Sequence, residues 1–205
     1  MTGILKRKVH RNIWVIRLSF FIQKIRRHFN PKKGYHIDKI EKILSARILF
    51  NIDFFFETGT YIGVTTNYLQ NYFSKMYSIE LSKELAAEAQ HYFRNKKHIS
   101  IVQGDSGLLL ENIIKNDTTK KLFWLDAHYS EGVTASSATF GETPISKEIE
   151  EILKYWIVGS VILIDDARCF TGTHNYPTIP DITKFVLSKN LGLRVFVDKD
   201  IIHIL

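Results

Sequence analysis

Several features that mark large protein classes are missing from this sequence. There is one cysteine, Cys169, so no internal disulfide can form, and we expect a reducing, cytoplasmic setting rather than secretion. The apolar stretch nearest the N-terminus covers about ten residues, 13–22, and contains Arg17, which makes it too short and too polar to span a bilayer. No small-residue cleavage site follows it, which disfavours a secretory signal. The sequence therefore predicts a cytoplasmic protein.

Two phosphate-binding motifs are also missing. The chain has neither a G-x-G-x-x-G turn nor a G-x-x-x-x-G-K-[ST] loop. Its first glycine-bearing strand-to-helix turn reads "FFFETGTYIGVTTNYL", at 54–69. This turn is therefore expected to receive a ligand less anionic than a pyrophosphate.

Acidic residues are absent from positions 1–34. This segment holds ten of the 28 Lys and Arg residues, so the remainder has 18 basic and 21 acidic residues. The basic charge lies in an N-terminal arm and not around a cleft, which disfavours a nucleic-acid partner. Because Ile, Trp, Phe and Leu interrupt the basic residues, the arm is predicted to form an amphipathic helix. It either packs on the body or lies on the inner face of an anionic membrane or on a protein partner, and an oligomer is compatible with the sequence.

From residue 35 onward, strand-like and helix-like segments alternate along the chain. This pattern predicts one α/β domain, 35–205, with a doubly wound and mainly parallel sheet. The last segment, 193–205, reads as two strands joined at 198–200, an antiparallel hairpin. A long polar segment, 129–143, is expected to be a lid, a binding loop or disordered.

Every predicted parallel strand ends in a carboxylate, and in open α/β sheets ligands bind beyond these ends. The acids and their neighbours are Glu57, Glu80, Asp105, Asp126 with His128, and Asp165 with Asp166. The first three suit the parts of one ligand. Glu57 can hold an ammonium, Glu80 can accept both hydroxyls of a ribose, and Asp105 can accept from an adenine amine.

The turn after Glu57 completes this site. Its glycines allow close approach, while its threonine hydroxyls and the following helix N-terminus offer hydrogen bonds to a carboxylate. The residues are Thr58, Gly59, Thr60, Gly63 and Thr65. Taken in chain order, these residues suit an amino acid, a ribose and an adenine, which are the three parts of S-adenosylmethionine (SAM).

Residues 50–205 resemble the class I SAM-dependent methyltransferases. The resemblance lies in "FFETGTYIG", "YSIEL", "VQGDS" and the terminal hairpin. It implies a Rossmann-like, seven-stranded sheet, and it adds Leu81, Ser106 and Asp126 to the cofactor-binding residues. The first motif departs from the commonest G-x-G arrangement of the family.

The acids after the fourth and fifth strands indicate a cation. Three neighbouring carboxylates repel one another unless a positive charge lies between them, and Mg²⁺ prefers oxygen ligands. The pattern resembles metal-dependent O-methyltransferases of the catechol and macrolide-sugar types, which implies that Asp126, Asp165 and Asp166 are the metal ligands. With Asp126, His128 is the expected catalytic residue, as a base that accepts the proton of an acceptor hydroxyl. A third metal contact or a loop cap is the alternative for His128.

The acceptor is predicted to be a hydroxyl of a sugar or surface glycan. Segments "LDAHYS", "TPI" and "LIDDAR" resemble bacterial and viral methyltransferase-like proteins associated with surface-glycan synthesis. Arg168, His174 and Tyr129 are the expected substrate-binding residues, with a surface salt bridge as the alternative for Arg168. Two other functions stay open: a metal-dependent hydrolase that uses Asp126, His128, Asp165 and Asp166, and a non-catalytic binding module of the same fold.

Overall fold

The computed structural model describes residues 12–30, 36–126 and 143–205. Two predicted site residues, His128 and Tyr129, and nearly all of the polar segment 129–143 lie outside these ranges. The helices are α1 (Ile13–Phe29), α2 (His36–Phe50), α3 (Val64–Leu69), α4 (Lys83–Phe93), α5 (Ser106–Ile114), α6 (Ile145–Lys154) and α7 (Ile179–Ser188), with a 3-10 turn at Ala167–Cys169. The strands are β1 (Phe54–Thr58), β2 (Lys75–Glu80), β3 (Ile99–Gln103), β4 (Leu122–Leu125), β5 (Val161–Ile164), β6 (Val195–Asp198) and β7 (Ile201–Ile204).

The strands form one seven-stranded sheet in the order β3-β2-β1-β4-β5-β7-β6. The five strands from β1 to β5 pair in parallel, while β7 pairs antiparallel to both β5 and β6. The predicted doubly wound sheet with a C-terminal hairpin is therefore confirmed. The hairpin turns at Lys199 and Asp200, both with positive φ, as the predicted junction at 198–200 requires.

Three consecutive phenylalanines in β1 connect the two halves of the core. Because successive side chains of a strand point to opposite faces, Phe55 packs with α1, α2 and α4, whereas Phe54 and Phe56 pack with α5, α6 and α7. All three are at most 2% exposed. The run of apolar residues therefore reflects burial on both faces, as expected for a central parallel strand.

Helix α7 is an element that the sequence pattern left unassigned. Thr178 caps it, and its hydroxyl and the Asp181 carboxylate bond each other's backbone N–H groups in a capping box. Pro180 lies in the first turn, where its missing N–H costs nothing. The signals for this helix were thus present in "TIPDITKFVLS".

Helix α1 packs on the body of the domain. Ile16 and Phe20 are buried in the same cluster as Phe55, and the Arg27 guanidinium bonds the carboxylates of Asp38 (2.6 Å) and Glu41 (2.7 Å) on α2. Among the described residues, no helix is long and apolar enough to cross a membrane.

Candidate active site

The five acid-bearing strand ends meet at one edge of the sheet. The ends of β1, β4 and β5 are in register, because the Asp126 N–H donates to the Thr58 carbonyl and the Asp165 N–H to the Leu125 carbonyl, both at 3.0 Å. Strand order reverses between β1 and β4, since the chain first runs outward to β3 and then returns to β4. Ligands of open α/β sheets bind at such a reversal.

The turn between β1 and α3 has the tight backbone that its glycines predicted. Gly59 and Gly63 have φ angles of 85° and 73°, which side-chain-bearing residues rarely adopt. A Cβ on Gly63 would also lie 3.2 Å from the Phe93 ring. Thr65, in the first turn of α3, is buried, and its hydroxyl lies 3.5 Å from the His36 ring.

Glu80 closes the same turn from the end of β2. Its two carboxylate oxygens accept from the backbone N–H groups of Tyr61 (2.6 Å) and Ser82 (2.9 Å). Burial nevertheless raises the pKa of Glu80 above its usual value. Each oxygen has a second lone pair, so a ribose hydroxyl can still bind here, next to the half-buried Leu81.

Glu57 is 1% exposed, and two hydroxyl groups donate hydrogen bonds to its carboxylate. Its Oε2 accepts from Thr66 (2.5 Å) and Ser78 (2.6 Å), and the Ser78 hydroxyl lies 2.6 Å from that of Thr60. Burial is the largest influence and raises the pKa of Glu57 to about 7. Neither Thr66 nor Ser78 was expected at the site.

A buried glutamate that the sequence did not indicate lies beside the adenine motif. Glu148 on α6 is fully buried, and neither of its carboxylate oxygens has a partner among the described residues. Burial raises its pKa to about 7, although the hydroxyls of Ser106 and Thr58, which lie nearby without forming a hydrogen bond of normal geometry, act in the opposite direction. The Thr58 hydroxyl is likewise buried without a partner. Asp105 caps α5 by accepting from the Gly107 N–H at 3.0 Å.

Asp126, Asp165 and Asp166 form the predicted acidic cluster. Each offers a carboxylate oxygen, and these oxygens lie within 4.8 Å of one another. Burial and then the Asp165 charge raise the pKa of Asp126 well above its usual value, and burial raises that of Asp165 to about 6. Asp126 and Asp165 thus resist ionisation beside a third acid, which indicates too little positive charge at this site among the described residues.

One cation reaches this cluster from α2. The Lys39 ammonium lies 2.5 Å from Asp165 Oδ2 and 3.2 Å from Asp166 Oδ1. Burial acts to lower the pKa of Lys39, but the carboxylates outweigh it and the pKa is raised. Nothing in the sequence pattern linked Lys39 to acids 126 residues away.

The backbone at Asp166 is strained, because its φ is 54°. Aspartate tolerates this left-handed conformation, which is found at functional sites. Burial acts to raise the pKa of Asp166, but Lys39 and Arg168 outweigh it and lower the pKa. Arg168 is in ion pairs with Asp166 (2.8 Å) and Asp200, the salt-bridge alternative considered for it.

The acidic cluster opens on a small, largely apolar cleft, lined in part by Phe170, Tyr176 and Thr143. The rings of Phe170 and Tyr176 are 5.2 Å apart and nearly perpendicular. Burial raises the pKa of Tyr176 to about 12. Tyr176, two residues after the exposed His174, lines the cleft together with Phe170, and neither of the two was among the expected substrate-binding residues.

No protein-family model and no curated protein matches the chain in sequence. Solved structures do match in fold. An O-methyltransferase from Bacillus cereus in complex with S-adenosylhomocysteine (SAH) is 14% identical over 93% of this chain and 90% of its own, with a TM-score of 0.58. The O-methyltransferase TomG from Streptomyces achromogenes, in complex with SAM, is 12% identical over 83% of this chain and 80% of its own, with a TM-score of 0.58.

A third match is the methyltransferase MycE of the mycinamycin biosynthetic pathway, in complex with Mg, SAH and mycinamycin VI. It is 13% identical and has a TM-score of 0.60, over 87% of this chain and 52% of that one. At such identities the likeness establishes the fold. This chain therefore has the fold of the class I SAM-dependent methyltransferases, as its motifs predicted.

Proposed function

We propose that this protein is a SAM-dependent O-methyltransferase, assisted by a divalent cation and acting on a hydroxyl group of a sugar or glycan. The observation that carries the proposal is the division of one sheet edge into two adjoining sites. Residues at the ends of β1, β2 and β3 present hydrogen-bonding groups for an organic ligand, and those of β4 and β5 present carboxylates for a cation. A methyl donor and a hydroxyl acceptor need this adjacency, because the reacting atoms must approach within about 3–3.5 Å.

The cofactor side fits SAM in the chemistry of its groups. SAM would supply an electrophilic methyl group on a sulfonium. Glu80 would accept from the ribose hydroxyls, Asp105 and Ser106 would meet the adenine, and Glu57 with the β1–α3 turn would hold the methionine part. The unpartnered buried oxygens of Glu148 and Thr58 support a polar ligand close by, since buried polar groups normally have partners.

The acidic side fits a hard divalent cation, because its donors are three carboxylates with oxygens within 4.8 Å of one another. Asp126, Asp165 and Asp166 would hold the ion. A bound Mg²⁺ would lower the pKa of an acceptor hydroxyl, so that this hydroxyl would lose its proton more readily at neutral pH. Asp126, which would also hold the ion, and His128 are proposed as the catalytic residues, with His128, outside the described residues, as the base that accepts the proton of that hydroxyl.

The cleft beside the acids supports a sugar as acceptor. The rings of Tyr176 and Phe170 form an apolar wall of the cleft, and the Tyr176 hydroxyl adds a polar group. Such a wall suits a sugar ring, which presents both C–H and O–H groups. Arg168 and His174, each two residues from a residue that lines this cleft, are proposed to contact the acceptor. MycE, in complex with mycinamycin VI, SAH and Mg, is a structure of similar fold.

Transfer of a tritiated methyl group from SAM to a panel of nucleotide sugars, oligosaccharides and catechols tests the proposal. We expect label in a sugar fraction, dependent on Mg²⁺ and lost in Asp126→Asn. Label that appears only in catechols would overturn the sugar acceptor. Hydrolysis of added phosphate esters or glycosides by a protein that does not bind SAM would instead establish the metal-dependent hydrolase.

We also propose that α1 holds the enzyme at an anionic membrane surface. Opposite its buried face, α1 carries a second apolar stripe of exposed side chains: Trp14, Leu18, Phe21, Ile22, Ile25 and Phe29. Arg17 and Lys24 border this stripe on one side and Arg26 on the other, as the 3.6-residue period places them. Apolar side chains flanked by cations suit the boundary of anionic headgroups and acyl chains, and fit a protein partner less specifically.

Sedimentation with phosphatidylglycerol vesicles tests this location. We expect the wild type to sediment with anionic but not with neutral vesicles, and Leu18→Gln/Ile25→Gln to remain in solution. The matched control is Ile48→Gln/Leu49→Gln, which removes two exposed apolar residues from α2 and should sediment as the wild type does. Equal behaviour of the two double variants, or no sedimentation of the wild type, would contradict the membrane contact and leave a protein partner.

A further inference from the structure

Lys39 stands where the acidic cluster would place a metal ion. Its ammonium is within hydrogen-bond distance of Asp165 Oδ2 (2.5 Å) and Asp166 Oδ1 (3.2 Å), and the charge of Asp126 also acts on it. The lysine comes from α2, at the N-terminal end of the domain, whereas its partners follow β5. A cation is therefore built into the cluster by a contact between distant parts of the chain.

The charges at the cluster do not balance. Three carboxylates face one ammonium, and the second cation that the described residues bring close, Arg168, contacts both Asp166 and Asp200 through its Nη1. Lys39 thus compensates a single charge. A divalent cation would compensate two, but it would bind the same carboxylates that Lys39 already contacts.

A metal ion and the Lys39 ammonium cannot both bind the carboxylates of Asp165 and Asp166 at the same time. Two cations that both lie within about 3 Å of the same carboxylate repel strongly in a partly buried site. The side chain of Lys39 has room to withdraw, because it is 25% exposed and has a flexible four-carbon stem. The helix itself is fixed, since Ile37, Ile40 and Ile43 are at most 1% exposed in the core.

We propose that Lys39 competes with the divalent cation for the acidic cluster and so sets the metal affinity of the site. When the ammonium is in the cluster, the aspartates are paired without metal, and metal binding requires that the ammonium leave. The inference rests on the proposed cation site and adds a residue that no motif in the sequence assigned to it. Tight, permanent metal binding is not expected of such a site, because each ion must displace an internal competitor.

Titration of Mn²⁺ into three folded proteins, followed by calorimetry, tests the competition. We expect Lys39→Met to bind Mn²⁺ roughly tenfold or more tightly than the wild type, since the competing charge is gone. The matched control is Lys42→Met, which removes the same charge from the same helix but from a residue paired with Asp198. Its affinity for Mn²⁺ should stay within about twofold of the wild type.

Other outcomes overturn the inference. Equal or weaker Mn²⁺ binding by Lys39→Met would show that the lysine does not compete, and an equal gain in Lys42→Met would show only a general charge effect. If Lys39→Met does not fold, Lys39→Gln keeps most of the side-chain length without the charge and should show the same gain, whereas Lys39→Arg should bind as weakly as the wild type.

SAM titrated into the same proteins separates this inference from the proposed function. SAM binding without an effect of Lys39 on Mn²⁺ would reject the competition and leave methyl transfer standing. Absence of SAM binding in all of them would instead reject the proposed function.

Discussion

The two halves of the sheet edge use the same kind of residue in different ways. At the ends of β1, β2 and β3, acids are held by hydrogen-bond donors: Glu57 by two hydroxyls, Glu80 by two backbone N–H groups and Asp105 by the first turn of α5. At the ends of β4 and β5, the acids crowd together and contact cations. One half is organised by hydrogen bonds and the other by charge.

This difference explains what each half can bind. An acid fixed by N–H and O–H donors keeps lone pairs directed at neutral donors, such as ribose hydroxyls or an amine. Acids within 4.8 Å of one another favour a cation, because their mutual repulsion falls when one binds. The position at a strand end therefore locates a site, and the partners of each acid determine its ligand.

The largest expected effect is a loss of metal affinity in the half formed by the ends of β4 and β5. Replacing Asp165 by Asn removes a charge and a ligand oxygen, so Mn²⁺ affinity should fall roughly a hundredfold or more, while SAM affinity changes less than about twofold. Calorimetric titration of each ligand measures both. Asp198→Asn, which changes a partly exposed acid paired with Lys42, is the control. An equal loss of SAM affinity in Asp165→Asn would mean that the halves are one site.

The converse change is Glu80→Gln, which should weaken SAM binding about 10- to 100-fold, the value of one or two hydrogen bonds to a charged group. Mn²⁺ affinity should stay the same. Glu84→Gln, four residues further and fully exposed, should alter neither. Unchanged SAM affinity in Glu80→Gln would remove Glu80 from the cofactor site.

The smallest expected effect is a change in the pH dependence of unfolding free energy when Glu57 loses one of its hydroxyl donors. Ser78→Ala removes a donor to the buried Glu57 carboxylate and should cost about 1–3 kcal/mol of unfolding free energy. Since burial raises the pKa of Glu57 from 4.5 to about 7, the native state retains a proton that the unfolded state releases, so stability falls as pH rises through this range. Losing the donor disfavours the charged form further.

The penalty of Ser78→Ala should therefore be larger at about pH 8 than at about pH 5, as urea unfolding at both values would measure. Ser74→Ala removes an exposed hydroxyl of the same kind and serves as control. A penalty independent of pH would mean that Ser78 does not act on the charge of Glu57.

The sequence predicted the strand ends well and the partners of the acids poorly. The alternation of strand-like and helix-like segments predicts where each parallel strand ends. Because the carboxyl ends of parallel strands lie at one edge of the sheet, it also predicts that the acids at these ends lie together: Glu57, Glu80, Asp105, Asp126 and Asp165. Lys39 and Glu148 could not be found in this way. Each reaches the site from a helix whose rotation and packing are set by the core, and neither lies in a motif.

The measurement that tests the central claim most directly is a calorimetric titration of SAM into the wild-type protein and Glu80→Gln. The account predicts micromolar binding to the wild type, weakened roughly tenfold or more in the variant. No binding to the wild type, with or without Mg²⁺, would contradict it, and the acids at the sheet edge would then require another ligand.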